Sequence, residues 1–338
     1  MRFSSDNIAP VHPRVLEAMA KANVVDTPYD GDALNQALNG RFSELFEHEV
    51  TVIWMSTGTA ANALALSLLC PPYGGILTHE SAHVVGDECG AIELQTGGAR
   101  LLTRGSADGK LAAPDLRDWT GNMDMSIHKT RPYAVSLTNV TETGRVYTPG
   151  EMAALGDVCQ ERGLAFHIDG ARFANAIAHL DCSPADLSWR AGVDALSFGF
   201  TKNGAMNAEA LILFDKSRLD EAQRRRKRGG HLLSKGRYVA AQLHALLDDD
   251  LWLANARASN LAAQPLAKAA PDRLMHPVEA NMVFIDLNSE EIAQLNAQGF
   301  GLYPGDKGGA RMVTSWHHQP SDTAPLAAAI AVLRDARP

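Results

Sequence analysis

The stretch ALSFGFTKNGAMNAEALILF, residues 195–214, is apolar or small almost throughout, yet it carries one lysine, Lys202. A cation is costly to bury, and a desolvated lysine becomes a nucleophilic amine able to form a Schiff base. Upstream, FHIDGARFANA sets Asp169 at the end of an apolar run, where open α/β sheets bind ligands. Earlier still, STGTAANALAL opens on Ser56, Thr57, Gly58 and Thr59. The exposed N–H groups and dipole of a helix starting there suit a phosphate. Each feature has an ordinary reading when taken singly: an N-cap for the hydroxyls, a helix cap for Asp169, a turn lysine in TKNG. Together, and in this order, they match the needs of pyridoxal 5′-phosphate. Its phosphate is anchored, its aldehyde is held by the lysine, and its pyridine nitrogen is kept protonated by the carboxylate so that the ring can take up electrons.

Such groups must be held by an alternation of strands and helices, and the sequence has one. Helices are expected over 12–23, 35–49 and 149–163, with a turn opening a helix over 57–70. Strands are expected over 50–56, at the start of 74–83, over 133–141 and over 164–172. VDALSFGFTKNG and EALILF read as two strands joined by a turn. From about residue 230 the pattern is almost continuously helical to 270. Short strands NMVFIDL and ARMVTSW and a helix over 323–336 close the chain. The expected fold is a large α/β domain with a mainly parallel sheet (1–240) and a smaller C-terminal α+β domain (241–338), closely packed because no linker separates them.

The 338 residues, with 46% hydrophobic and 21% charged, are those of an ordinary globular protein with about two domains. No apolar run is long enough for a membrane span, and MRFSSDNIAPVHP lacks the apolar core of a secretory signal. Cys70, Cys89, Cys159 and Cys182 are scattered, which fits reduced thiols and a cytoplasmic protein. A net charge of −8 argues against nucleic acid as a partner. The local exception, RRRKR at 224–228, reads as a solvated helix face or a small-anion site. HESAH (79–83) matches the zinc-peptidase pattern, which needs His79 and His83 one turn apart on a helix with Glu80 as base. The flanking strand-like GGILT and glycine-bearing VVGDECGA speak against that helix, so no metal site is expected.

The motifs SSDN (4–7), YDGD (29–32), STGTAAN (56–62), AH (82–83), IHKTRPYAVSLTNVTETG (127–144), HIDGARFANA (167–176), SFGFTKNGA (197–205) and ARMVTSW (310–316) carry a resemblance. With them, the chain is similar over residues 3–318 to the low-specificity L-threonine aldolase family, in the β-eliminating lyase group of fold-type-I pyridoxal-phosphate enzymes. The resemblance implies Lys202 as the amine that holds the cofactor and Asp169 as the partner of its pyridine nitrogen. Thr57, Gly58 and Thr59 would hold the phosphate, and His83 would stack on the ring. Ser5, Arg172 and Arg311 would hold the substrate carboxylate, a task for which the arginine fork is suited. Tyr29 and His128, with Arg131 nearby, would border the substrate.

Two segments depart from the family pattern. LTNVTETG replaces its usual asparagine-threonine-histidine loop and leaves Asn139, Thr141 and Glu142 near the site without assigned roles. RRRKRGGHLLSKGRY resembles the family loop that reaches a neighbouring subunit, and Arg228, Lys235 and Arg237 compete for its arginine. The implied activity is reversible cleavage of L-threonine, L-allo-threonine and related β-hydroxy-α-amino acids to glycine and an aldehyde, by a homo-oligomer (a dimer or dimer of dimers). A phenylserine-preferring aldolase or another β-eliminating lyase would use the same fixed residues. His83 is the leading candidate for the base at the β-hydroxyl, because free imidazole titrates near neutrality, with simple stacking as the alternative.

Overall fold

The computed structural model describes residues 2–305 and 308–335. Helices α1 (Pro13–Lys21) and α2 (Ala33–Phe46) lead into β1 (Thr51–Met55), followed at once by α3 (Gly58–Leu69). The alternation continues through β2 (Gly75–His79), α4 (His83–Gly86), α5 (Ala91–Thr96), β3 (Arg100–Arg104), α6 (Ala113–Gly121) and β4 (Pro132–Thr138). Next come α7 (Pro149–Arg162), β5 (Ala165–Gly170), α8 (Phe173–Leu180), β6 (Ala195–Gly199), β7 (Glu209–Leu213) and α9 (Leu219–Arg228). Helices α10 (Arg237–Leu247) and α11 (Leu251–Ala269) precede a C-terminal part made of β8 (Met282–Ile285), α12 (Ser289–Ala297), β9 (Tyr303–Pro304), β10 (Ala310–Val313) and α13 (Pro320–Asp335). The last position of the expected final helix, Ala336, lies outside the described residues.

Seven strands form one sheet in the order β1-β7-β6-β5-β4-β2-β3, and only β7 runs against the rest. The C-terminal ends of β1, β2, β4, β5 and β6 therefore share one edge, and β7 starts from it. That is the edge at which such sheets bind ligands. A separate antiparallel sheet, β8-β10-β9, lies in the C-terminal part.

Both faces of the large sheet are covered. On one, aromatic rings of α2, α8 and β6 interlock: Phe198 meets Phe42 at 6.3 Å and Phe173 at 5.1 Å between centroids, both edge to face. Such pairs add about 0.5–1.5 kcal/mol each beyond the area they bury. On the other face α3 is buried all round from Ala60 to Leu69, as its alanine-leucine composition demands. The small sheet packs its own core, which recruits Phe3 from the other end of the chain, and the Val313 amide donates to the Phe3 carbonyl at 2.7 Å. Helix α11 serves both cores, with Trp252 and Ala256 in the first and Ala263 and Leu266 in the second.

Two differences from the sequence reading have local causes. The helical stretch after residue 230 starts only at Arg237, and it breaks at Asp248–Asp250, where Asp249 and Asp250 take positive φ of 54° and 52°. Three adjacent acids repel one another, aspartate tolerates the left-handed region, and Arg41 and Arg14 draw Asp248 and Asp249 outward. The unexpected β3 is an edge strand with charged ends, RLLTR, which shows no two-residue alternation.

At the ligand edge, the turn Thr201–Asn203 after β6 ends on Gly204 with φ of 108°, a conformation L side chains rarely adopt. Just before it, Gly199 lies against the chain leaving β5, and a Cβ there would sit 2.6 Å from the Ala171 carbonyl oxygen. Gly199→Ala should therefore cost about 1–3 kcal/mol of stability through overpacking, readable as a lowered urea midpoint at unchanged slope.

Candidate active site

A cavity of about 650 Å³ opens at the C-terminal edge of the large sheet and is closed on one side by the small sheet. Ser5, Thr57, Gly58, Thr59, His83, Asp169, Arg172, Lys202 and Arg311, widely spaced in sequence, all line it. Strand polarity explains the convergence. Thr57–Thr59 follow β1, His83 follows β2, Asp169 and Arg172 end and follow β5, and Lys202 follows β6. Arg311 comes from β10, directly opposite Phe284 of β8.

Thr57 caps α3, its hydroxyl accepting from the Ala60 amide at 3.2 Å. The first helical turn leaves the amides of Gly58 and Thr59 without intrahelical acceptors. A Cβ built on Gly58 meets nothing within 4 Å, so the helix start faces open space wide enough for an anion. Amide donors, an amine and a facing carboxylate in one cavity are the donor set that pyridoxal phosphate requires.

Asp169 is 4% exposed and doubly held. Its Oδ1 accepts from the Ala171 amide at 3.0 Å and its Oδ2 from the Asn62 side-chain amide at 2.9 Å. The same Asn62 nitrogen donates to Oε1 of the buried Glu88 at 2.8 Å, and Glu88 Oε1 also takes His83 Nδ1 at 2.8 Å. The hydrogen bond to Glu88 holds the His83 imidazole above its usual value, against the opposing effect of burial.

A second charged set surrounds Lys202. Arg172 grips Asp6 through Nε at 2.7 Å and Nη2 at 2.9 Å, a bidentate pair with Asp6 1% exposed. Burial pushes Asp6 upward, but the charges of Arg172 and Lys202 outweigh it and hold the carboxyl below its usual range. The Arg172 guanidinium, followed by burial, depresses the Lys202 amine. Glu209, at the start of β7, is pushed up to about 6 by burial, while its Oε2 accepts from the Phe200 amide at 2.7 Å.

Three other expectations meet a different arrangement. Tyr29 is 42% exposed and sits outside the cavity, with the Lys227 ammonium 5.1 Å from its ring. His128 and Arg131 precede β4 and so lie at the opposite edge of the sheet, His128 on an exposed loop. The zinc-peptidase geometry is absent, because His79 ends a strand and His83 begins a different element. His79 instead bonds Ser81 and Ser106, and Glu80 is exposed.

RRRKR belongs to α9. Arg224 and Arg225 pair with Asp220 and Glu221 one turn earlier, while Arg226 is buried 3.7 Å over the Trp54 ring and bonded to Asp30. Arg237 is buried against the Ala22 carbonyl, while Arg228 and Lys235 are exposed. Four residues of the site went unassigned in the sequence: Asn62 and Glu209, which line the cavity, and Asp6 and Glu88, which hold Arg172 and His83. For Asn62 and Glu209 the signal was present, a polar side chain inside an otherwise apolar helix or strand.

Replacing Glu88 with Gln should return the His83 imidazole toward its ordinary value, read from the pH titration of its ring proton by NMR. Because the folded value is raised, the pair's contribution to stability is full below the ordinary imidazole value and is lost as pH rises through the raised one. Melting curves of the Gln variant should lack that loss.

Comparisons with known proteins give the family and the fold. The family model for beta-eliminating lyases matches residues 2–290. The low specificity L-threonine aldolase of Pseudomonas aeruginosa is 42% identical over 321 residues, 93% of this chain and 92% of the relative. That of Escherichia coli K12 is 28% identical over 86% of each chain. Among solved structures, Leishmania major threonine aldolase superposes with a TM-score of 0.91 at 30% identity, covering 98% of this chain and 99% of that one. The chain therefore belongs to the beta-eliminating lyase family, among its low-specificity L-threonine aldolases.

Proposed function

We propose that the protein is a pyridoxal 5′-phosphate-dependent carbon–carbon lyase that cleaves L-threonine, L-allo-threonine and related β-hydroxy-α-amino acids to glycine and an aldehyde. The observation that carries this reading is the meeting of Lys202, Asp169 and the α3 start in one cavity that also holds Arg172 and Arg311. When bound, the cofactor supplies an aldehyde that condenses with amines and a protonated ring that accepts an electron pair from Cα.

The rest is done by the chain. The Gly58 and Thr59 amides and the Thr57 hydroxyl would hold the phosphate. Lys202 supplies the amine, which its cationic neighbour Arg172 makes easier to deprotonate and so more nucleophilic. Asp169, fixed by Asn62 and Ala171, would accept from the pyridine N–H. His83, tethered by Glu88, would pack against the ring. Arg172 has its Nε and part of Nη2 committed to Asp6, which leaves Nη1 to bind the substrate carboxylate with Arg311 and Ser5. Holding that carboxylate would fix the orientation of the substrate's Cα, and with it which of the Cα bonds is set to break.

Among the described residues no helix is long and apolar enough to cross a membrane. All four cysteines are free, in keeping with a reducing, cytoplasmic setting. We take the enzyme to be a homo-oligomer, as the resemblance implies, in which Tyr29 and His128, outside the cavity of their own chain, would border the substrate of a neighbouring copy.

The purified protein should absorb visible light, bleach irreversibly with borohydride, and release glycine from L-threonine, L-allo-threonine and phenylserine. In Lys202→Ala the borohydride fixation should vanish and cleavage should fall by at least about a thousandfold. Arg311→Ala should raise KM by about 10- to 100-fold, the loss of one charge-assisted hydrogen bond, with cofactor affinity unchanged. A colourless protein without glycine release would sink the reading.

A further inference from the structure

We propose that Glu142 is the catalytic base at the substrate's β-hydroxyl, with its Oε2 taking the proton as the Cα–Cβ bond breaks. The proposal rests on the aldolase reading above and deepens it, because it names the group that distinguishes a β-hydroxy side chain from any other.

Glu142 belongs to the loop that follows β4, at the ligand edge of the sheet, and lines the cavity with His83 and Thr138. Its Oε1 is fixed by two donors, the His83 backbone amide at 2.8 Å and the Thr138 hydroxyl at 2.8 Å. Among the described residues no donor engages Oε2. A carboxylate with one oxygen clamped and the other open to a cavity is oriented for one further hydrogen bond, and a hydroxyl group provides it.

His83 is the competing base, and its surroundings argue for a different task. Its Nδ1 is spent on Glu88, and that bond favours the cationic ring, which has no lone pair left to accept a proton. What His83 gives Glu142 is its backbone N–H. The charges around Glu142 support the role. Burial raises its carboxyl above the usual range, only partly offset by the His83 amide and the Thr138 hydroxyl, and the nearby Asp169 raises it further. The other titratable groups facing it are the His83 ring of α4 and Tyr147 of its own loop, whose phenol burial keeps neutral. Arg145, three residues on, turns away to Glu279 at 2.9 Å. A carboxylate raised toward neutrality is a better base than an exposed one.

The proton count closes without any oxidant or reductant. One proton leaves the β-oxygen for Glu142, and the O–H pair becomes the second bond of the aldehyde carbonyl. The Cα–Cβ pair stays with Cα, and one proton arrives at Cα to complete glycine.

The test is Glu142→Gln in the full-length protein, since glutamine keeps an Oε1 acceptor for both donors and removes only the basic oxygen. Melting temperature and pyridoxal-phosphate affinity, titrated by fluorescence, should match wild type. Exchange of the glycine α-proton in heavy water, which needs every part of the site except this base, should stay within about threefold, while L-threonine cleavage falls by about a hundredfold or more. The acid limb of the kcat/KM profile should disappear in Glu142→Gln and persist in His83→Asn. The proposal is overturned by cleavage within threefold of wild type, by a parallel loss of exchange and cleavage, or by loss of the acid limb in His83→Asn alone. If wild type itself neither binds the cofactor nor cleaves any β-hydroxy amino acid, the aldolase reading fails first and takes this one with it.

Discussion

A carboxylate that is 4% exposed must be hydrogen-bonded, or the desolvation penalty falls on the whole fold. Asp169 meets this demand from two directions, its own turn and a helix more than a hundred residues away. The second bond explains a polar residue in the middle of an alanine-leucine helix. Asn62 can reach Asp169 only because α3 is buried on all sides and pressed onto the sheet. The same amide nitrogen reaches Glu88, and Glu88 reaches His83. One hydrogen-bonded chain thus joins the two residues that, on the proposed reading, meet a flat ring at its nitrogen edge and over one of its faces. Networks of this kind hold their geometry only when every link is kept, since each freed partner becomes a buried polar group without a mate.

The second set of charges solves a different problem. An amine meant to react must be less basic than a free lysine, and burial alone would achieve this at the risk of expelling the side chain. Here a neighbouring guanidinium contributes the largest share of the depression. That guanidinium is in turn anchored by Asp6, so that repulsion cannot push it away. Asn281 adds a third bond to Asp6 at 3.0 Å, tying the N-terminal segment to the small sheet. The electrostatics of Lys202 therefore depend on chain segments from both ends of the sequence.

This dependence marks what could be read from the sequence. Lys202, Asp169 and the Ser56–Thr59 turn announce themselves, because each is a polar residue where an apolar element stops. The alternation of elements was legible for the same reason, through periodicity and glycine punctuation. Edge strand β3 was not, since a strand with solvent on one side and charges at both ends carries little pattern. The pairing of Asp6 with Arg172 leaves no local trace in either segment. The resemblance put Glu142 near the site, but its role left no local trace, because the groups that clamp it, Thr138 and His83, come from two different strands' ends. His128 and Arg131 show the converse. Their motif reads as site-bordering, yet they precede their strand, and strand direction sends them to the far edge of their own chain.

Helix α11 has a bearing on how such an enzyme can change. The Asn203 side chain, beside Lys202, donates to the Trp252 carbonyl, and Asn255 donates back to the Asn203 carbonyl. One turn further on, the Ser259 carbonyl accepts from Thr314, three residues after Arg311. At a rise of about 1.5 Å per residue, Asn255 and Ser259 hold these attachments about 6 Å apart along the axis. The helix is in effect a ruler between the amine and the carboxylate-binding arginine. Its pitch sets that spacing, so the α-amino-acid end of any substrate meets the same gauge. The loops beyond β2 and β4, which carry His83 and Glu142, are tied to one another instead, so the groups that meet the substrate's side chain are set apart from the gauge that recognises an amino acid as such.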